Sequence, residues 1–176
     1  PDTATLNFQD FTTPVYRNTI ASEWLGNLGL PSQSAIFYQR HSTDFTGDFL
    51  FKHPYYDQYL GPNRALFYNT KRPYSNITYT SGGLTEQEED HLTAGLSINA
   101  TSKLNFGIFA DYKYGRGSYY NQSTDNLNGY INGSYRGDKY SIYFIAGLNN
   151  QKHFENGGLT NDSLLGTIDE AVNIPV

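Results

Sequence analysis

The chain has no cysteine, no methionine, a single tryptophan and few charges. Without cysteine there is no disulfide, no thiolate metal site and no cysteine nucleophile. Charged residues make up 16% of the sequence, against roughly 25% in ordinary soluble domains. The net charge is −5 and no Lys or Arg cluster occurs, which argues against a nucleic-acid partner. No apolar run approaches the roughly 18 residues of a membrane-crossing helix, and no signal peptide opens the chain. The absence of methionine and the first residue Pro1 predict a processed or truncated chain. The extended apolar end at Asn173 to Val176 gives the same expectation.

Aromatic and small residues fill the space these leave. There are 16 Tyr, 11 Phe and 17 Gly, and Asn is plentiful. Such a mixture suits twisted strands, interfacial rings and polar loops and suits long helices poorly. A chain of 176 residues would ordinarily make one domain with a sizeable core.

From Leu92 to Asn149 apolar and polar residues alternate through four runs, and a period of two means strands. One parity carries Leu92, Ala94, Leu96, Ile98 and Ala100, then Leu104, Phe106, Ile108, Ala110, Tyr112 and Tyr114. It continues through Leu127, Gly129, Ile131, Gly133 and Tyr135, and ends with Tyr140, Ile142, Phe144, Ala146 and Leu148. The opposite parity carries Asn105, Asp111, Lys113, Asn128, Tyr130, Asn132 and Tyr143. Ile77 and Tyr79, within Tyr74 to Thr80, begin the series as a first strand. Asn99 to Lys103 and Arg136 to Lys139 read as tight turns. Gly82 to Asp90, Gly115 to Asp125 and Gln151 to Asn161 read as long polar loops.

Short connections at one end and long ones at the other are the arrangement of outer-membrane barrels. Runs of about 9 to 12 residues are what tilted strands need to cross a bilayer core. The fold class expected is therefore all-β, an antiparallel up-and-down meander forming part of a transmembrane β-barrel and preceded by an irregular N-terminal region. Tyr79, Tyr112 and Tyr114 towards the long-loop end, and Phe106, Tyr135 and Tyr140 towards the other, form the expected aromatic girdle, because amphipathic rings favour the headgroup level. Asn105, Asp111, Lys113, Asn128, Tyr130, Asn132 and Tyr143 are the expected lumen-facing set. The alternative that the alternation leaves open, second to the barrel, is a soluble or cell-surface β-rich module that binds carbohydrate or protein through its Tyr and Asn loops.

Residues 1–72 lack sustained alternation and read as an N-terminal region, either a plug or periplasmic lead-in or further irregular strands and loops. Residues 73–149 form the meander, and 150–176 a long external loop and the start of a remainder. Within the N-terminal region, Asn18 to Leu28 has a helical option with Ile20, Trp24, Leu25 and Leu28 on one face, and an extended reading competes with it. His53 to Tyr59 has the pattern of one helical turn. The acidic run Glu86, Glu88, Glu89 and Asp90 lacks the regular spacing of a calcium loop and reads as a solvated loop. His41, His53, His91 and His153 show no paired-ligand spacing and read as loop or surface residues. No catalytic constellation, cofactor motif or metal site emerges, and Asp111 with Lys113 reads as lumen polarity rather than as acid–base machinery.

Several segments carry a more specific signal: YLGPNRALFYNTKRPYSNITYTSGG (Tyr59 to Gly83), NFGIFADYKYGRGSYYNQST (Asn105 to Thr124), YRGDKYS (Tyr135 to Ser141), ENGGLTNDSLL (Glu155 to Leu165) and LGNLGLPSQSAIFYQR (Leu25 to Arg40). Together they resemble the putative porin family of Bacteroidota. The resemblance implies a non-enzymatic β-barrel of the bacterial outer membrane that passes small polar solutes or serves as a subunit or client of an outer-membrane complex. Its partners would be outer-membrane lipid and other outer-membrane proteins or assembly machinery. Members of the family run to several hundred residues, and five strands cannot close a barrel. The remainder is expected beyond Val176 or from a partner.

Overall fold

The computed structural model describes residues 21–24, 26–40, 55, 58–62, 65–83, 87–117, 119 and 121–155. Contacts divide the chain into one unit of Pro1–Gly26 with Leu30–Tyr59 and a second of Asn27–Gly29 with Leu60–Val176.

In the first unit, β1 (Ser22–Trp24) pairs antiparallel with β2 (Ser32–Ser34), followed by a 3-10 turn at Phe37–Gln39. The helical option at Asn18 to Leu28 gives way, over its described residues, to this strand and the turn after it. Gly26 disfavours helix there, and the pairing of Ser22 with Ser34 supplies the hydrogen bonds a helix would have made internally. Gln58 donates to the carbonyl of Leu30 at 3.2 Å, and both residues are buried. Residues 18–20, and most of the turn expected at His53 to Tyr59, lie outside the described residues.

The second unit is built on a five-stranded antiparallel meander in the order β3 (Tyr74–Gly82), β4 (Glu89–Thr101), β5 (Leu104–Arg116), β6 (Ser123–Arg136) and β7 (Ser141–Phe154). Every strand pairs with its sequence neighbour. Turns 102–103 and 137–140 lie at one end, and connections 83–88 and 117–122 at the other. The strands run further than the apolar alternation does. β5 and β6 take up both flanks of the segment expected as a long loop at Gly115 to Asp125, through pairs such as Gly115↔Thr124 and Arg116↔Ser123. Glu89 and Asp90 are likewise strand residues paired with Gly82 and Ser81. Ladder hydrogen bonds join backbone groups, so polar side chains do not end a strand.

The register aligns side chains into rows across the sheet. One row on the apolar face is Leu96, Ile108, Ile131 and Ala146; the next towards the loops is Ala94, Ala110, Gly129 and Leu148. Among the described residues no layer covers this face: Ile108 is 53% and Ile131 47% exposed, and Phe144 beside Gly133 is 46% exposed. The face behind them is polar and covered, with Thr93, Ser97, Asn105, Asp111, Lys113, Thr124, Asn126, Asn128, Asn132 and Ser134 all buried. A soluble sheet has the reverse arrangement, apolar side chains inside and polar ones out.

Candidate functional site: the polar face of the sheet

The seven residues expected on the lumen side share one face. Asn105 pairs with Ser134, Asp111 with Asn128, Lys113 with Asn126, Gly107 with Asn132, Phe109 with Tyr130, and Ser134 with Tyr143. They differ in burial. Lys113 and Asn128 are wholly inaccessible, Asn105, Asp111 and Asn132 nearly so, Tyr130 is half-buried, and Tyr143 is 52% exposed on the edge strand. Tyr143 meets Phe67 edge-on at 5.6 Å, and its hydroxyl accepts from Nε of Arg136.

At the middle of this face lies a buried charge cluster. Asp111 sits between His91, whose Nε2 is 2.6 Å from Oδ1, and Lys113, whose Nζ is 3.0 Å from Oδ2. A charge removed from water stays charged only if it is paired and hydrogen-bonded, and the two carboxylate oxygens divide this task. His91, expected in a loop or on the surface, is instead a half-buried residue of β4. It stands diagonally across the ladder from Asp111, because Thr93 is the direct partner of Asp111 and His91 that of Lys113.

Two stretches of chain cross the polar face and meet it through their backbones. The first is Asn27–Gly29. Leu28 donates its N–H to Glu89 at 2.7 Å and accepts the Thr124 hydroxyl on its carbonyl, while the Gly29 carbonyl accepts from Asn126 at 3.3 Å. Gly29 has φ +90°, and a Cβ there would stand 2.7 Å from the Asn126 amide nitrogen. Only glycine allows both the turn and the approach. The second stretch runs from Leu60 to Thr70. The Asn149 side-chain amide takes both the N–H and the carbonyl of Leu60, at 2.8 and 3.2 Å. Asn132 donates to the Leu66 carbonyl at 2.7 Å, Tyr130 accepts from the Leu66 N–H at 3.2 Å, and Asn99 donates to the Thr70 carbonyl at 2.8 Å.

The rings expected to form the girdle lie on the apolar face or at its ends. Tyr79, Phe106 and Tyr140 are exposed, while Tyr112, Tyr114 and Tyr135 are half-buried. Tyr79 donates its hydroxyl to Asp90 at 2.8 Å, and Tyr135 and Tyr140 lie 5.6 Å apart. Glu89 and Asp90 of the acidic run are therefore engaged by Leu28 and Tyr79, and Glu86 lies outside the described residues. Among the described residues, no three His, Asp or Glu come together as metal ligands.

Beyond the expected set, the face includes His91, Phe109, Thr124, Asn126 and Asn149. For Phe109 the signal was present in its odd parity within β5, shared with Asn105, Asp111 and Lys113. Asn126 and Thr124 share the parity of Asn128, but Thr124 lay in the stretch expected as loop and Asn126 just before the run that starts at Leu127.

A meander with an exposed aliphatic face backed by a covered polar face has the arrangement of a transmembrane β-barrel wall. The family model described as putative porin matches residues 1–173, and the chain belongs to that family. No curated protein and no solved structure matches the chain.

Proposed function

We propose that the chain forms part of a non-enzymatic barrel of the bacterial outer membrane through which small polar solutes pass. In this reading the polar face is the water side, and Asn105, Asp111, Lys113, Asn128, Tyr130, Asn132 and Tyr143 line it. The stretches 27–29 and 60–70 act as a plug that narrows the passage. The carrying observation is the separation of the two faces, with Ile108 and Ile131 about half exposed and Lys113 and Asn128 wholly inaccessible. Hydrocarbon is the medium in which that arrangement has low free energy, because each exposed aliphatic chain would be unfavourable in water by an amount that scales with its area. Membership of the porin family supports the same reading.

Outer-membrane lipid is then the principal partner, met by the aliphatic rows and, at headgroup level, by Tyr79, Phe106, Tyr112, Tyr114, Tyr135 and Tyr140. The outer edges of β3 and β7 are unpaired among the described residues. Unpaired backbone groups in lipid cost several kcal/mol each, so further strands, of this protein or of an outer-membrane partner, complete the wall. The soluble binding module is disfavoured by the same bare aliphatic face. Full-length protein reconstituted into planar bilayers is expected to give discrete ion-conducting steps. Conductance indistinguishable from protein-free bilayers would overturn the passage while leaving the barrel standing.

A further inference from the structure

The charges of the meander separate along its length. At the short-turn end stand Lys71, Arg72, Lys103, Arg136 and Lys139, all exposed, and Asp138 is the one carboxylate there among the described residues. At the other end, from the row of Asp90, Tyr114, Asp125 and Lys152 outward, the balance reverses. Glu88, Glu89, Asp90, Asp125 and Glu155 outnumber Arg116 and Lys152. Lys71 and Arg72 precede the sheet but are held at its turn end. Asn99 donates to the Asn69 side-chain oxygen at 2.9 Å and to the Thr70 carbonyl at 2.8 Å, and Tyr74 pairs with Ser97. The Lys103 ammonium spans both oxygens of Asp138 at 2.8 and 2.7 Å, joining the two turns. Lys71, Arg72 and Lys139 form no salt bridge among the described residues. Cations gathered without counter-charges repel one another, so this patch has its lowest free energy against an anionic surface.

The position of the patch selects that surface. On the apolar face at the same end lie the rings of Phe106, Tyr135 and Tyr140, the last two 5.6 Å apart, and Lys139 directly precedes Tyr140. Such rings settle at headgroup level, so residues one step further from the aliphatic rows meet the phosphates. Short turns of outer-membrane barrels face the periplasm, where the leaflet is built of phospholipid. A lysine or arginine beside an anionic leaflet strengthens association by about fivefold. At the loop end the excess of carboxylates repels the same headgroups. We propose that the short-turn end of the meander binds anionic phospholipid headgroups through Lys71, Arg72, Lys103 and Lys139. This inference rests on the reading of the aliphatic face as the lipid side.

The test folds full-length protein into vesicles of phosphatidylcholine, and of phosphatidylcholine mixed equally with phosphatidylglycerol. Unfolding is by urea, which carries no charge and leaves electrostatic screening unchanged. The ratio of the two folding constants reports the preference. Wild type is expected to fold at least about tenfold more favourably in the mixed vesicles, and 1 M potassium chloride, with a Debye length of about 3 Å, removes the gain. Lys71→Gln with Lys139→Gln lowers the ratio at least about fivefold. Because both residues are exposed, this pair stays within about twofold of wild type in phosphatidylcholine alone. Arg116→Gln with Lys152→Gln also removes two cations, but at the loop end, and changes the ratio less than about twofold. If the turn-end pair does not fold, Arg72→Gln decides in its place through a loss of at least about twofold. A wild-type ratio near one, or equal losses from the two pairs, overturns the proposal. So does equal stabilisation by inorganic phosphate or by polyglutamate in phosphatidylcholine vesicles, which assigns the patch to a free anion or to an acidic protein. Folding into phosphatidylcholine without preference leaves the membrane reading intact. Protein that stays dispersed in plain buffer and enters neither vesicle overturns that reading itself.

Discussion

Placing an arginine at Ile131 tests the central claim, because hydrocarbon and water respond to it differently. Ile131 lies on β6 (Ser123–Arg136), within about 4 Å of the strand midpoint at ~3.3 Å per residue and ~40° of tilt. Its side chain is 47% exposed and stands between Ile108 and Ala146 in the row. In water an exchange at such a half-exposed site costs within about 0.5 kcal/mol. At the middle of a bilayer, arginine on the lipid face costs about 2–4 kcal/mol and near the interface about 0–1. Ile131→Arg should therefore destabilise by about 3 kcal/mol, roughly a hundredfold in the folding constant. Ser81→Arg is the control: Ser81 is on the same face, exposed, and at the loop end beside Asp90, and its cost should not exceed about 1 kcal/mol. Both values come from guanidinium unfolding of full-length protein out of lipid vesicles, followed by circular dichroism. Equal costs for the two variants, both within about 0.5 kcal/mol of wild type, would refute the assignment of this face to lipid.

Three further outcomes follow from the polar face. Asp111→Ala leaves the Lys113 ammonium buried without its carboxylate and should lower stability by about 3–5 kcal/mol. The double exchange Asp111→Asn with Lys113→Met should recover most of that loss in the same unfolding assay. Asn149→Leu removes both hydrogen bonds to the Leu60 backbone, at a cost of about 1–3 kcal/mol. It should speed hydrogen exchange at the Leu60 amide and, with stretch 60–70 loosened, raise single-channel conductance. Gly107→Ala should act on the same stretch from a distance, since a Cβ at Gly107 would collide with the Asn132 side chain that holds the Leu66 carbonyl. Its signature is faster exchange near Leu66 in a protein whose strands remain paired.

The two faces were legible in the sequence because strand side chains alternate, and Leu92 to Leu148 keep that alternation through every strand. The extents were not. Beyond the aliphatic rows the strands continue through Ser123 to Asn126, Lys152 and His153, where the apolar alternation stops while the ladder persists. The charge cluster was half legible: Asp111 and Lys113 are two residues apart, but His91 joins them only through the β4–β5 register. Helix or strand at Asn18 to Leu28 was undecided because Tyr16, Ile20 and Trp24 fit either period. The contacts of stretches 27–29 and 60–70 with the wall had no signature at all. Their partners lie 61 to 97 residues away for Leu28 and Gly29, and the groups involved are backbone atoms common to every residue.

That last point bears on how such a sheet holds the stretches that cross it. Once parity assigns the apolar residues to one face, the other face must carry polar side chains, and each one that becomes buried needs a hydrogen-bond partner. For Thr124, Asn126, Asn132 and Asn149 the partners are peptide groups of two stretches that lie outside the strands of the sheet. Thr124, Asn126, Asn132 and Asn149 on the wall thus do for residues 28, 29, 60 and 66 what a neighbouring strand would otherwise do. Asparagine suits the task because its amide offers donor and acceptor together, as a peptide group does. The match at Leu60 uses both. Position on the sheet is consequently specified by the sheet's side chains and the backbone path of these stretches, with little demand on their own side chains. The glycine at position 29 is the exception, because there the backbone itself has to come close.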